Sequence, residues 1–102
     1  MHTLIIEPEA KLDIAKAMKY YDSERAGLGN IFLNDLKDLL LRVGENPRQY
    51  QLHRRQTHKT VMPRFPYIVL YRFDQSHAYI LGVMDGRRNP RAIARRTGKK
   101  SQ

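Results

Sequence analysis

Hydrophobic positions along the chain fall into two regimes. Ala10, Ile14, Ala17, Met18 and Tyr21 are spaced i, i+4, i+7, i+8, i+11, and Phe32, Leu36, Leu39, Leu40 and Val43 repeat nearly the same spacing. That period is one face of an α-helix. The first helix is expected to begin at Pro8, which suits a first helical turn, and to stop near Asp22; the second ends at the stop signal Gly44-Glu45-Asn46-Pro47. Ala26-Gly27-Leu28-Gly29-Asn30 reads as the link. Two helices so joined form an αα-hairpin whose apolar stripe needs a sheet to cover it. Leu33 and Leu41 lie off the stripe, as the flank of the core or as a docking surface.

The second regime is extended. Phe65-Pro66-Tyr67-Ile68-Val69-Leu70-Tyr71-Arg72-Phe73 and Ala78-Tyr79-Ile80-Leu81-Gly82-Val83-Met84, separated by Asp74-Gln75-Ser76-His77, signal a β-hairpin. Both faces of each run are apolar, so these strands belong at the centre of a sheet. Thr3-Leu4-Ile5-Ile6 predicts a short first strand. Residues 50–55 and 58–62 predict two more polar strands, whose alternating charges suggest a solvated, basic sheet face. Pro63 and Pro66 break the ladder between them and the hairpin. After the turn Asp85-Gly86-Arg87-Arg88-Asn89-Pro90, residues 91–96 suit one helical turn. Residues 97–102 read as a basic, disordered tail, leaving residues 1–96 as the single domain.

Charge changes this picture more than size does. Residues 1–45 carry six Lys/Arg and eight Asp/Glu; residues 46–102 carry thirteen Lys/Arg and two Asp. The net charge of +9 is therefore a −2 half followed by a +11 half, and such a field attracts nucleic acid or an acidic protein. The chain has no cysteine, which excludes thiolate chemistry and Cys-ligated zinc. Neither a signal-peptide pattern nor an apolar run of membrane-spanning length occurs, so a cytoplasmic protein without a membrane partner is expected.

No phosphate loop, metal-binding His pair or nucleophile elbow is present. RNA cleavage by ribose 2′-hydroxyl attack would need a base, cations around the phosphorus oxygens and an acid. His58 is the candidate base, Arg55, Arg64 and Arg87 the cations, and Tyr67 or Tyr71 an acid or stacking surface. In the plainer alternative the cations are a solvated face and both tyrosines are core with hydroxyls at the rim. The adjacent Arg87 and Arg88, closing a central strand, have the fewest structural reasons to be there.

Taken in order, the helix end Tyr20-Tyr21, the link Gly27-Leu28-Gly29 with Phe32, the stop Asn46-Pro47 with Tyr50, the strand Phe65-Pro66-Tyr67 with Tyr71, and the turn at residues 85–90 resemble the RelE/ParE superfamily of toxins from type II toxin-antitoxin systems. The resemblance spans about residues 3–96. It implies an α+β fold: an N-terminal strand, an antiparallel helical hairpin packed on one face of an antiparallel β-sheet meander, and a short C-terminal helix or tail. It also implies a cognate antitoxin and a toxin that either poisons DNA gyrase, as ParE-like members do, or cleaves ribosome-bound mRNA, as RelE-like members do. Ile68 falls where RelE-like members carry an arginine, and Ile93 where they carry a tyrosine. An isoleucine can neither neutralise a phosphorane nor transfer a proton. With Phe65-Pro66-Tyr67 and Tyr20-Tyr21, these departures favour a gyrase-directed inhibitor that is not itself an enzyme.

The expected contacts to target or antitoxin are Arg55, Arg64, Tyr67, Tyr71, Arg87, Arg88 and Arg91. On the alternative reading, as a ribosome-dependent mRNA interferase, His58, Lys59 and Arg87 would be catalytic. A third is a non-toxic remnant that still binds antitoxin. No cofactor, metal or small-molecule substrate is implied by any of the three.

Overall fold

The computed structural model describes residues 1–88 and 90–98. Strand β1 (Thr3–Ile6) is followed by helices α1 (Pro8–Glu24) and α2 (Leu28–Glu45), then a 3-10 turn at Pro47–Gln49. Strands β2 (Leu52–Arg54), β3 (Thr57–Val61), β4 (Tyr67–Phe73) and β5 (His77–Asp85) follow, then helix α3 (Pro90–Gly98). The five strands form one sheet in the order β1-β5-β4-β3-β2, so the apolar hairpin is central as its composition requires. β2 to β5 run as an antiparallel meander, whereas β1 pairs with β5 in parallel from Thr3↔His77 to Ile6↔Ile80.

The helical stripes pack on one face of the sheet. Phe32, Leu36 and Val43 of α2 and Ala10 and Ala17 of α1 are sealed against Val69, Tyr71, Ala78, Ile80 and Val83. At one end Phe32 closes an aromatic cluster, its ring centroid 5.5 Å from Tyr21 and 5.1 Å from both Phe65 and Tyr67. Leu33 is half-buried, whereas Leu41 is 53% exposed and does not flank the core.

The link is shorter than its two glycines suggest, because α1 runs two residues past Asp22 and α2 already begins at Leu28. Asp22 accounts for the early start: its Oδ1 accepts the Gly29 N–H at 2.8 Å, a cap supplied by the other helix. A β-carbon on Gly29 would fall 2.7 Å from the Met18 carbonyl and 2.8 Å from Asp22 Oδ1. Gly29→Ala therefore forces the helices apart and strips the cap. Thermal unfolding should show a loss of about 2 kcal/mol; an unchanged midpoint would mean that the helices do not approach this closely.

α3 extends the single turn expected at residues 91–96 to Gly98 and buries Thr97, so the tail cannot begin at 97; residues 99–102 lie outside the described residues. α3 lies over the second sheet face, where Ile68, Leu70, Leu81 and Met84 are buried beneath Ala92 and Ile93. That face is thus partly covered, not solvated and basic throughout; the charged positions of β2 remain exposed. Among the described residues no helix is long and apolar enough to cross a membrane.

Candidate functional site

The antiparallel register sets Tyr67, first residue of β4, opposite Asp85, last residue of β5. The Gly86 N–H donates to the Pro66 carbonyl at 2.7 Å, fastening the following turn to the start of β4. α1 crosses beside this end and contributes Asp13, Lys16, Ala17 and Tyr20 to a cleft of about 410 Å³, completed by Tyr67, Val83, Met84, Asp85, Arg87 and Arg88. Three of the expected contacts, Tyr67, Arg87 and Arg88, are therefore gathered in one place.

The cleft is mixed in chemistry. Arg87 is clamped on Asp85, with Nε 3.0 Å from Oδ1 and Nη2 2.8 Å from Oδ2, and this hydrogen bond holds the Asp85 carboxyl below the usual range. Half of the arginine pair is thus already neutralised within the chain. Burial, with the Tyr21 hydroxyl and Asp85 nearby, pushes the Tyr67 hydroxyl up, so it remains a neutral phenol at physiological pH. Tyr20 is 54% exposed on the opposite wall. Two phenol rings, an apolar floor and charges of both signs suit a polypeptide with aromatic, apolar and acidic side chains. Two carboxylates in the lining, Asp13 of α1 and Asp85 of β5, disfavour a phosphate chain.

The other sequence-predicted residues go elsewhere. Tyr71 is fully buried and donates its hydroxyl to the Pro47 carbonyl at 2.6 Å; burial raises its pKa, and it offers no surface to a partner. Arg64 is held by Asp35 of α2 through two bonds, 2.8 and 2.9 Å long, on the far side of the hairpin. Arg55 and Arg91 line a separate groove beside α3.

Nor are the candidate nuclease residues assembled. The His58 ring stacks on Tyr71 at 5.5 Å and lies 5.0 Å from Phe73, with Nδ1 3.0 Å from the Tyr50 carbonyl. It stands opposite Tyr71 in the ladder, hence on the helix-facing side. Lys59 stands opposite Leu70 and so on the reverse side. Neither of them lines the cleft that holds Arg87. Ile68 and Ile93, the two departures from the nuclease pattern, meet in a single apolar cluster between sheet and α3.

Two structural cations escaped sequence reasoning because their partners are distant. Arg96 of α3 reaches across β5 to Asp13 of α1, giving its Nη1 hydrogen to Oδ2 and its Nη2 to Oδ1 at 3.3 Å, and also donates to the Leu81 carbonyl at 3.2 Å. Leu81 is the extra residue of a bulge, since Leu70 pairs with Gly82 but Tyr71 with Ile80. Gly82 leaves the passage open: a β-carbon there would lie 2.9 Å from Arg96 Nη1. Arg72 is the second, bonding Thr57 Oγ1 at 3.1 Å and the Thr97 carbonyl at 3.0 Å.

The fold has a solved counterpart. A chain described as "Chromosomal ParDE TA system from P. aeruginosa" superposes with a TM-score of 0.75 at 13% identity, covering 83% of this chain and 96% of that one. At that identity the likeness concerns the fold. No curated protein matches the chain in sequence. Residues 4–90, from β1 to the start of α3, match the family described as the ParE toxin of the type II toxin-antitoxin system parDE. The chain belongs to the ParE toxin family of type II toxin-antitoxin systems.

Proposed function

We propose that this toxin arrests growth by binding and poisoning DNA gyrase through the cleft between α1 and the β5 turn, and that a cognate antitoxin neutralises it. The observation that carries this reading over RNA cleavage is the packing of Ile68 with Ile93 under α3. Apolar contact occupies the face where a nuclease of the wider superfamily would need a cation and a proton donor. The mixed lining of the cleft supports a protein target, with Arg88 and Tyr20 as its exposed charged and aromatic anchors.

Purified toxin should inhibit gyrase supercoiling at micromolar concentration and trap cleaved DNA. Replacing Tyr20 and Arg88 together by Ala should raise the half-inhibitory concentration by about tenfold or more. Gyrase unaffected by micromolar toxin would sink the reading. In cells, overexpression should induce the DNA damage response while mRNA stays intact, and the product of the neighbouring reading frame should restore growth. Cleavage of ribosome-bound mRNA would support the nuclease instead, and undisturbed growth the non-toxic remnant.

A further inference from the structure

A second surface is dominated by arginine. Arg54 and Arg55, at the turn between β2 and β3, form one wall of a groove of about 350 Å³; Arg91 and Arg95 of α3 form the other, with Ala94 and Gly98 between them. All four arginines are exposed, and among the described residues no acidic side chain lines the groove. We propose that this groove binds the phosphodiester backbone of a double-stranded nucleic acid, without sequence preference. The reading is independent of the gyrase-directed cleft, with which the groove shares no lining residue.

Fold stability does not account for the cluster. Arg55 and Gln56 sit at φ 49° and 65°, the left-handed region that Asn-Gly fills with least strain in a two-residue hairpin turn. This turn accepts the strain and places a guanidinium against α3, where a β-carbon on Gly98 would be 4.0 Å from Arg55 Nη1. The negative end of the α3 dipole accommodates Arg95, but Arg91 stands in the first turn, where the dipole disfavours a cation. Arg91 and Arg95 are one turn apart on the same helix face.

The chemistry selects the ligand. Guanidinium forks match phosphate oxygens in pairs, and two facing walls of them straddle a single strand of backbone. Among the described residues no aromatic side chain lines the groove, so unpaired bases find nothing there to stack on, which favours a duplex over a single strand. An acidic protein segment would bring apolar side chains that a floor of Ala94 and Gly98 cannot bury.

The test is fluorescence anisotropy of a labelled duplex DNA of about 20 base pairs with the full-length toxin, over about 50 to 200 mM salt and without gyrase. The logarithm of affinity should fall with that of salt at a slope of about −3 or steeper. Arg54→Gln with Arg95→Gln should weaken binding at least about tenfold and flatten the slope by about 2. Lys19→Gln with Lys37→Gln, removing two exposed charges from the helical hairpin, should change neither. Circular dichroism melts would verify that both variants fold. Undetectable binding at the lowest salt, equal effects of the two variants, or tighter binding to single-stranded DNA or polyglutamate would each overturn the proposal. Because gyrase is absent, its failure would leave the cleft reading untouched.

Discussion

Phe32→Ala should lower the stability of this toxin by about 4 kcal/mol. Phe32 has no exposed surface, and its ring touches Tyr21, Phe65 and Tyr67 at once, so no neighbour can relax into the space without breaking another ring contact. A domain of this size holds about 5 to 15 kcal/mol in total, so the variant would keep a minor share of its margin or lose it altogether. The melting temperature should fall by about 15 °C or more. Phe32→Leu, which leaves a smaller void, should cost about half as much. A loss below about 1 kcal/mol for the alanine variant would contradict the packing described. Tyr67 borders both this cluster and the cleft, so inhibitory potency should fall along with stability.

Asp13→Ala should cost about 3 kcal/mol. Asp13 and Arg96 are each only 16% exposed, and Asp13 Oδ2 also accepts the Val83 N–H at 3.0 Å. Removing the carboxylate leaves the guanidinium with only the Leu81 carbonyl and the more distant Glu9, 3.9 Å from its Nε, and leaves a strand amide unpaired beside the bulge. Restoring neutrality with a second change, Arg96→Met, should recover most of the loss, because no charge then remains half-buried. Urea unfolding of the two variants decides it: a double variant no more stable than Asp13→Ala would show that the ion pair itself is not what holds α3. Asp13→Asn, which retains an acceptor for Val83, should fall between wild type and alanine.

These two substitutions also mark how far the sequence could be read. Phe32 was legible, because the 3.6-residue spacing that identifies α2 also selects which of its residues face the sheet. The central hairpin was legible for a similar reason, its two-sided apolar character leaving β4 and β5 nowhere else to go. Neither pattern names a partner at long range. Thr3-Leu4-Ile5-Ile6 announces a strand but carries no sign that it will lie parallel to β5. Asp22 gives no local sign that it will cap the neighbouring helix. α3 was underestimated because its own apolar content is only Ala92, Ile93 and Ala94; it is held to its full length through Asp13 and Arg72, residues far away in the chain. At the candidate site, Arg87, Arg88 and Tyr67 were each expected contacts, but that they share one strand end follows from the hairpin register, Tyr67 pairing with Asp85. Arg64 was grouped with them because an arginine's sequence context does not reveal an Asp35 facing it from another element.

The bond between Asp13 and Arg96 joins residues 83 positions apart, and β1 must await β5 before it can pair at all. During synthesis the helical hairpin leaves the ribosome with its acidic half exposed, long before the strands that will cover it exist. Contacts of such separation slow the final step of folding and place it after most of the chain has been made. The bulge and the open passage over Gly82 are then filled last, by the arginine that closes the molecule. A nascent chain is therefore an incomplete one: the cleft wall carried by β5 and its turn forms only as synthesis nears its end.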